Sequence, residues 1–207
     1  MEATARRLIE ADIEKLALKS YERHTLHKRD DAGGRWILCR HYEDGSIDGC
    51  YFTEVISLAG GALYVGGDIG PVVFAHYSPS KPAEAEGHRG KVRWMGRRDQ
   101  CCSYVHEKSR IGLGDNGKLT TSWDSDLAAV QIEEELNENP DIDEEEAEEL
   151  QKLIEMCRSG SSAEEIWFTA YSDGTQDFLY SHLGEHVSSR VVYAWAALRK
   201  LDELLEE

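Results

Sequence analysis

The string His182-Leu183-Gly184-Glu185-His186 has the residue types of one zinc-hydrolase motif, His-x-x-Glu-His. In that class two histidines one helical turn apart hold the metal, and the glutamate activates water. A third protein ligand is needed well downstream. The 21 residues that follow His186 instead carry an apolar helical stripe that must be buried. Gly184 also weakens any helix through the string. The preferred reading is therefore a surface segment before the last helix. Gly66-Gly67-Asp68-Ile69-Gly70 could cradle a phosphate, but it lacks the dinucleotide spacing and the Lys-Ser/Thr of a nucleotide loop. A strand-like run follows it, not a helix, so a tight turn with glycines at positive φ is preferred. Cys39-x-His41 with Cys50, and Cys101-Cys102 with His106, lack the paired spacing of a structural zinc site. Nothing marks a cysteine nucleophile paired with His41, His76 or His106. No catalytic residue is assigned, and neither a metal nor another cofactor is expected.

Charge offers two further candidates. His88 to Arg110 holds seven Lys/Arg against two acids, with Trp94 and Tyr104 interleaved. Arginine for phosphates and an aromatic for stacking suit a single nucleic-acid strand, which makes Arg93, Trp94, Arg97 and Arg98 candidate contacts. An internal contact with acidic helices explains the same residues and is preferred. The opposite extreme is Glu133 to Glu149, with eleven acids and no base in seventeen residues. On a helix after Pro140, the carboxylates of Glu144, Glu145, Glu148, Glu149 and Glu155 fall away from the Leu150/Ile154 face. Acids four residues apart lie about 6 Å apart along the axis. That is of the order of the phosphate spacing on one strand, so such a face could occupy a basic groove meant for nucleic acid. These five glutamates are the candidate partner-binding residues.

The elements that must position them give an α+β chain. Residues 4–24 place Leu8, Ile9, Ile13, Leu16 and Ala17 near one helical stripe, ended by "KRDDAGG". Four β-like runs follow: "RWILCRHY", "CYFTEVISL", "ALYVGG" and "PVVFAHY". Asp44-Gly45 and Gly60-Gly61 are the turn signals between them, and the short connections predict an antiparallel meander of about four strands. Residues 78–123 give no clear pattern. Helices then follow over "SWDSDLAAVQIEEEL", "DIDEEEAEELQKLIEMCRSG", "SAEEIW" with a Ser162/Glu165 capping box, and "HVSSRVVYAWAALRKLDELL". Residues 1–123 balance 18 bases with 17 acids, whereas residues 124–207 hold 5 bases and 23 acids. The expected division is thus 1–123, a helix plus sheet, and 124–207, an acidic helical part, with one continuous domain as the alternative.

With 207 residues and 41% hydrophobic content, the chain is long enough to bury a core and too apolar to be disordered. No apolar run approaches a membrane span and no signal core follows the N-terminus, so a soluble, cytoplasmic protein with no membrane partner is expected. Five cysteines with one adjacent pair fit reduced thiols better than a disulfide framework. Cys39 and Cys157 read as core filler.

One stretch adds a resemblance. Trp36, then Tyr51-Phe52, then Gly67-Asp68-Ile69-Gly70 leading to Val72-Val73-Phe74, and later "SYVHEK" with Tyr104, Glu107 and Lys108, make an ordered series. Together with the terminal "SSRVVYAWAALRKL", this series resembles an uncharacterised accessory-protein family of tailed bacteriophages and prophages. The resemblance touches most of residues 34–110 and the last helix, departs around residues 79–90, and contains no catalytic motif. It implies a small protein in the cytoplasm of an infected host. By analogy with acidic phage proteins, the implied activity is non-enzymatic inhibition of a host nucleic-acid-handling or antiviral defence complex, as an anti-CRISPR or similar anti-defence protein with an acidic surface able to mimic DNA. Single-stranded nucleic-acid binding by residues 88–110 is the alternative.

Overall fold

The computed structural model describes residues 2–58, 61–75, 87–97, 109–110, 121–170 and 183–206. Helix α1 spans Glu2–Tyr21, and strands β1 (His24–Asp30), β2 (Arg35–His41), β3 (Ile47–Ser57), β4 (Leu63–Gly67) and β5 (Val72–Phe74) follow. They pair antiparallel in sequence order, with β6 (Ser109–Arg110) added beside β5. The four expected runs correspond to β2–β5. The sheet is larger than expected because β1 adds an edge: the first helix stops at Tyr21, and His24 onward is extended. At β1 the register shifts between Leu26 and Lys28, so one extra residue bulges the edge.

Alternation along the strands puts one row of side chains into a core. Trp36 and Leu38 of β2, Val55 of β3, Leu63 and Val65 of β4, and Val72 and Phe74 of β5 all bury on one face. Against them pack Ala17 and Tyr21 of α1, and Val92 and Met95 of α2 (Gly87–Gly96). The last helix, α6 (Ser189–Glu206), completes that core with Val191, Trp195, Leu198, Leu201 and Leu205. Gly96 explains how α2 and α6 come so close: a Cβ there would lie 2.7 Å from the Leu198 carbonyl oxygen.

A second core holds the acidic helices. Helices α3 (Ser125–Glu138) and α4 (Glu144–Arg158) contribute Ala128, Ala129, Ile132, Leu150, Leu153, Ile154 and Cys157. Helix α5 (Ala163–Thr169) adds Ile166, and Ala170 and Leu183 complete it. Strands β7 (Thr121–Trp123) and β8 (Glu185–Val187) pair as a separate two-stranded sheet. The chain accordingly divides into residues Met1–Ala11 with Thr121–His186, and Asp12–Thr120 with Val187–Glu207. This corrects the division at residue 124. The terminal helix belongs with the sheet, because Val191, Val192 and Ala194–Leu198 are buried almost all round it.

Candidate functional site

The acidic helices are built by their own acids. The Asp124 carboxylate accepts from the Leu127 backbone N–H at 2.8 Å and opens α3; Asp143 accepts from Glu146 at 2.9 Å and opens α4. The capping box of α5 forms between Ser162 and Glu165. The Ser162 backbone N–H holds the Glu165 carboxyl below its ordinary range. These carboxylates define helix starts. On the barrel of α4, Glu144, Glu145, Glu148 and Glu155 are exposed. At about 100° per residue, Glu144, Glu148 and Glu155 share one stripe, separated by about 6 and about 10 Å along the axis.

Glu149 is the exception and a correction: it is 2% exposed. Its position is one helical turn from Leu153, which places it at the flank of the apolar stripe. Helix periodicity alone left that flank undecided. Sixteen acids and two bases lie in residues 121–170. One of those bases, Arg158, pairs with Glu133, leaving the Glu144/Glu148/Glu155 stripe with little compensating charge beyond Lys152.

The basic segment divides differently. Arg89 and Arg93 of α2 and Arg97 just past its end recur every four residues, and all three meet the C-terminal end of α6. Arg89 donates to the Leu205 carbonyl oxygen. The Arg93 guanidinium lies 3.6 Å from the Asp202 carboxylate and 3.2 Å from Glu206. Arg97 pairs with Asp202 at 2.9 Å and with Glu206. Lys91 donates to the Leu58 carbonyl, and His88 bonds Ser57 across 2.9 Å. Trp94 is partly buried. The contact is thus internal and made by acids of the terminal helix. Arg98, Cys101, Cys102, Tyr104, His106, Glu107 and Lys108 lie outside the described residues.

His-x-x-Glu-His does not take the form its zinc chemistry requires. Gly184 sits at φ +64°, where a Cβ would lie 2.7 Å from the Trp123 ring. Its N–H donates to the buried Gln131 side-chain oxygen at 2.5 Å. Glu185 and His186 then run into extended β8, where neighbours point to opposite faces. The string is also not a surface segment: Leu183, Gly184 and His186 are buried, because the turn closes the second core. His182 lies outside the described residues, as does His76.

Gly67-Asp68-Ile69-Gly70 is a closed turn. Gly70 N–H donates to the Gly67 carbonyl at 3.0 Å, and Asp68 accepts from the Phe52 backbone N–H at 2.6 Å. Gly67 stands at φ +109°, where a Cβ would lie 2.3 Å from the Phe52 carbonyl oxygen. Both cysteines read as filler are buried: Cys157 in the second core, with its thiol pushed up to about 11 by burial, and Cys39 outside either core cluster. Among the described residues, no group of three or more His, Cys, Asp or Glu is arranged to hold a metal ion.

Two features escaped sequence reasoning. One is a pair of polar ties in the sheet unit: Tyr21 bonds Thr53 at 2.9 Å, with the His24 ring tilted against its own at 4.5 Å, and Arg40 lies 2.8 Å from buried Asp48. Burial pushes Tyr21 up to about 12 and His24 down to about 4, so both are uncharged at neutral pH. The other is Phe168 on α5, 85% exposed. The only sequence signal for it was Trp167-Phe168 directly after Ile166, since adjacent helical residues cannot all face a core. Comparison with protein-family models, characterised proteins and solved structures finds no match to this chain.

Proposed function

We propose that the chain is a non-enzymatic binding protein of the phage accessory type. Its acidic helices dock on a cationic groove of a host nucleic-acid-handling or defence complex in the host cytoplasm, and so block it. The observation that carries this reading is the exposed Glu144/Glu148/Glu155 stripe, flanked by Glu145, in a stretch where acids outnumber bases eightfold. A surface so charged attracts a basic groove over a Debye length and repels nucleic acid itself. The rival reading, single-strand binding by residues 88–110, is weakened because Arg93 and Arg97 already face Asp202 and Glu206.

The test is affinity capture from bacterial lysate with tagged wild type and a variant carrying Glu144, Glu145, Glu148 and Glu155→Lys. Glu149 is left intact, because a lysine at that buried position would unfold the helix pair rather than probe a surface. A stoichiometric nucleic-acid-handling complex held by the wild type and lost by the variant supports the reading. Equal recovery by both, or recovery of nothing, refutes it. In the latter case, anisotropy with a labelled single-stranded oligonucleotide tests the rival.

A further inference from the structure

Phe168 is a large apolar side chain, 85% exposed, on a helix that is otherwise firmly held. The Ser162/Glu165 capping box starts α5, Ile166 and Ala170 are buried in the second core, and Trp167 packs against it. The helix therefore fixes Phe168 in an outward position. Glu164 and Glu165, four and three residues before it, are both exposed and share its side of the helix. An aromatic ring beside carboxylates on an acid-rich unit has a defined complement.

We propose that Phe168 is the apolar anchor of the acidic docking surface, and that the partner is a protein presenting an apolar cleft rimmed by Lys and Arg. This rests on the acidic-surface reading above and names the chemistry of its partner. Charge complementarity selects the occupant. A nucleic acid or an anionic membrane would be repelled by Glu164, Glu165 and the α4 stripe, whereas a cationic rim is attracted. Buried aromatic anchors ringed by polar contacts are the usual energetic centres of such interfaces. Charge then brings the partner in, and ring burial slows its release.

Two labelled helical peptides of equal length and charge separate the claims, both rich in Lys, one with Leu at i, i+3, i+4 and i+7 and the other with Gln at those positions. Fluorescence anisotropy is read for wild type, Phe168→Ala, Phe168→Leu and the four-Glu reversal. The wild type should bind the Lys/Leu peptide about tenfold or more tightly than the Lys/Gln peptide, from burial of one aromatic side chain. Phe168→Ala should lose that preference while keeping the charge-driven binding, and Phe168→Leu should keep part of it. An unchanged preference in Phe168→Ala, or none in the wild type, overturns the anchor and leaves the acidic surface standing. Absence of binding to both peptides, or binding unaffected by the reversal, overturns the surface reading and the anchor with it.

Discussion

His24 offers a quantitative check on the sheet core. The residue is 5% exposed, its ring tilted against Tyr21, with Arg40 and Lys200 near enough to disfavour its charge further. Burial is the main reason that its pKa falls from 6.5 to about 4. Between those values the unfolded chain takes up a proton that the folded chain refuses. Folded stability is therefore fully present above pH 6.5 and lost as pH falls toward 4, levelling off below. At about 1.4 kcal/mol for each pH step, the loss amounts to about 3 kcal/mol. Many carboxylates titrate in the same range, so the measurement is a difference. Urea unfolding of the wild type and of His24→Phe, which keeps a ring against Tyr21 without titrating, is compared at pH 7 and pH 4.5. The wild type should lose between about 2 and 3 kcal/mol relative to the variant over that interval. A difference that stays the same at both pH values would refute the burial argument.

The Gly67 turn and the second core yield two further tests. Gly67→Ala combines a backbone conformation foreign to alanine with collision against the Phe52 carbonyl, and should cost about 2–3 kcal/mol or more in urea unfolding. Gly45→Ala, at φ +81° with open space around it, should cost only about 1 kcal/mol, so equal losses would show that the collision is absent. Cys157, buried and held protonated by its raised pKa, should resist alkylation at pH 8 in folded protein and label fully in urea. Peptide mapping that finds it labelled as fast as in denatured chain would contradict its place in the core.

What could be read in advance followed from which residues carry strong local signals. Strands β2–β5 alternate apolar residues and are punctuated by Gly45, Gly61, Gly67 and Gly70, all at positive φ. Strand β1 was missed because "HTLHKRD" has a single aliphatic residue and only one buried end. It is an edge strand, and edges are stabilised by pairing rather than by alternation. Helix α2 was unreadable because Gly87, Gly90 and Gly96 lower its propensity. The buried Gly90 and Gly96 suit close helix packing instead, a tertiary requirement that no local pattern encodes. The acidic stripe was legible, except at Glu149, where helical angle alone decides nothing. The ion-paired state of Arg93 and Arg97 depended on the return of α6 to the sheet, which a charge tally along the chain cannot see.

That return has a consequence for biosynthesis. Strands β1–β5 are complete by residue 74, yet the helix that covers Trp36, Leu38, Val55 and Phe74 begins at Ser189. During translation the apolar sheet face, backed only by α1 and later α2, stays incompletely covered while more than a hundred further residues are added, including the acidic helices α3–α5. All the residues of the second core, between 123 and 183, are synthesised before α6. The sheet core is therefore completed last, after every residue of the second core has been made. The carboxylates of these earlier-made helices give every nascent chain the same strong negative charge, and like charges repel before apolar faces can meet.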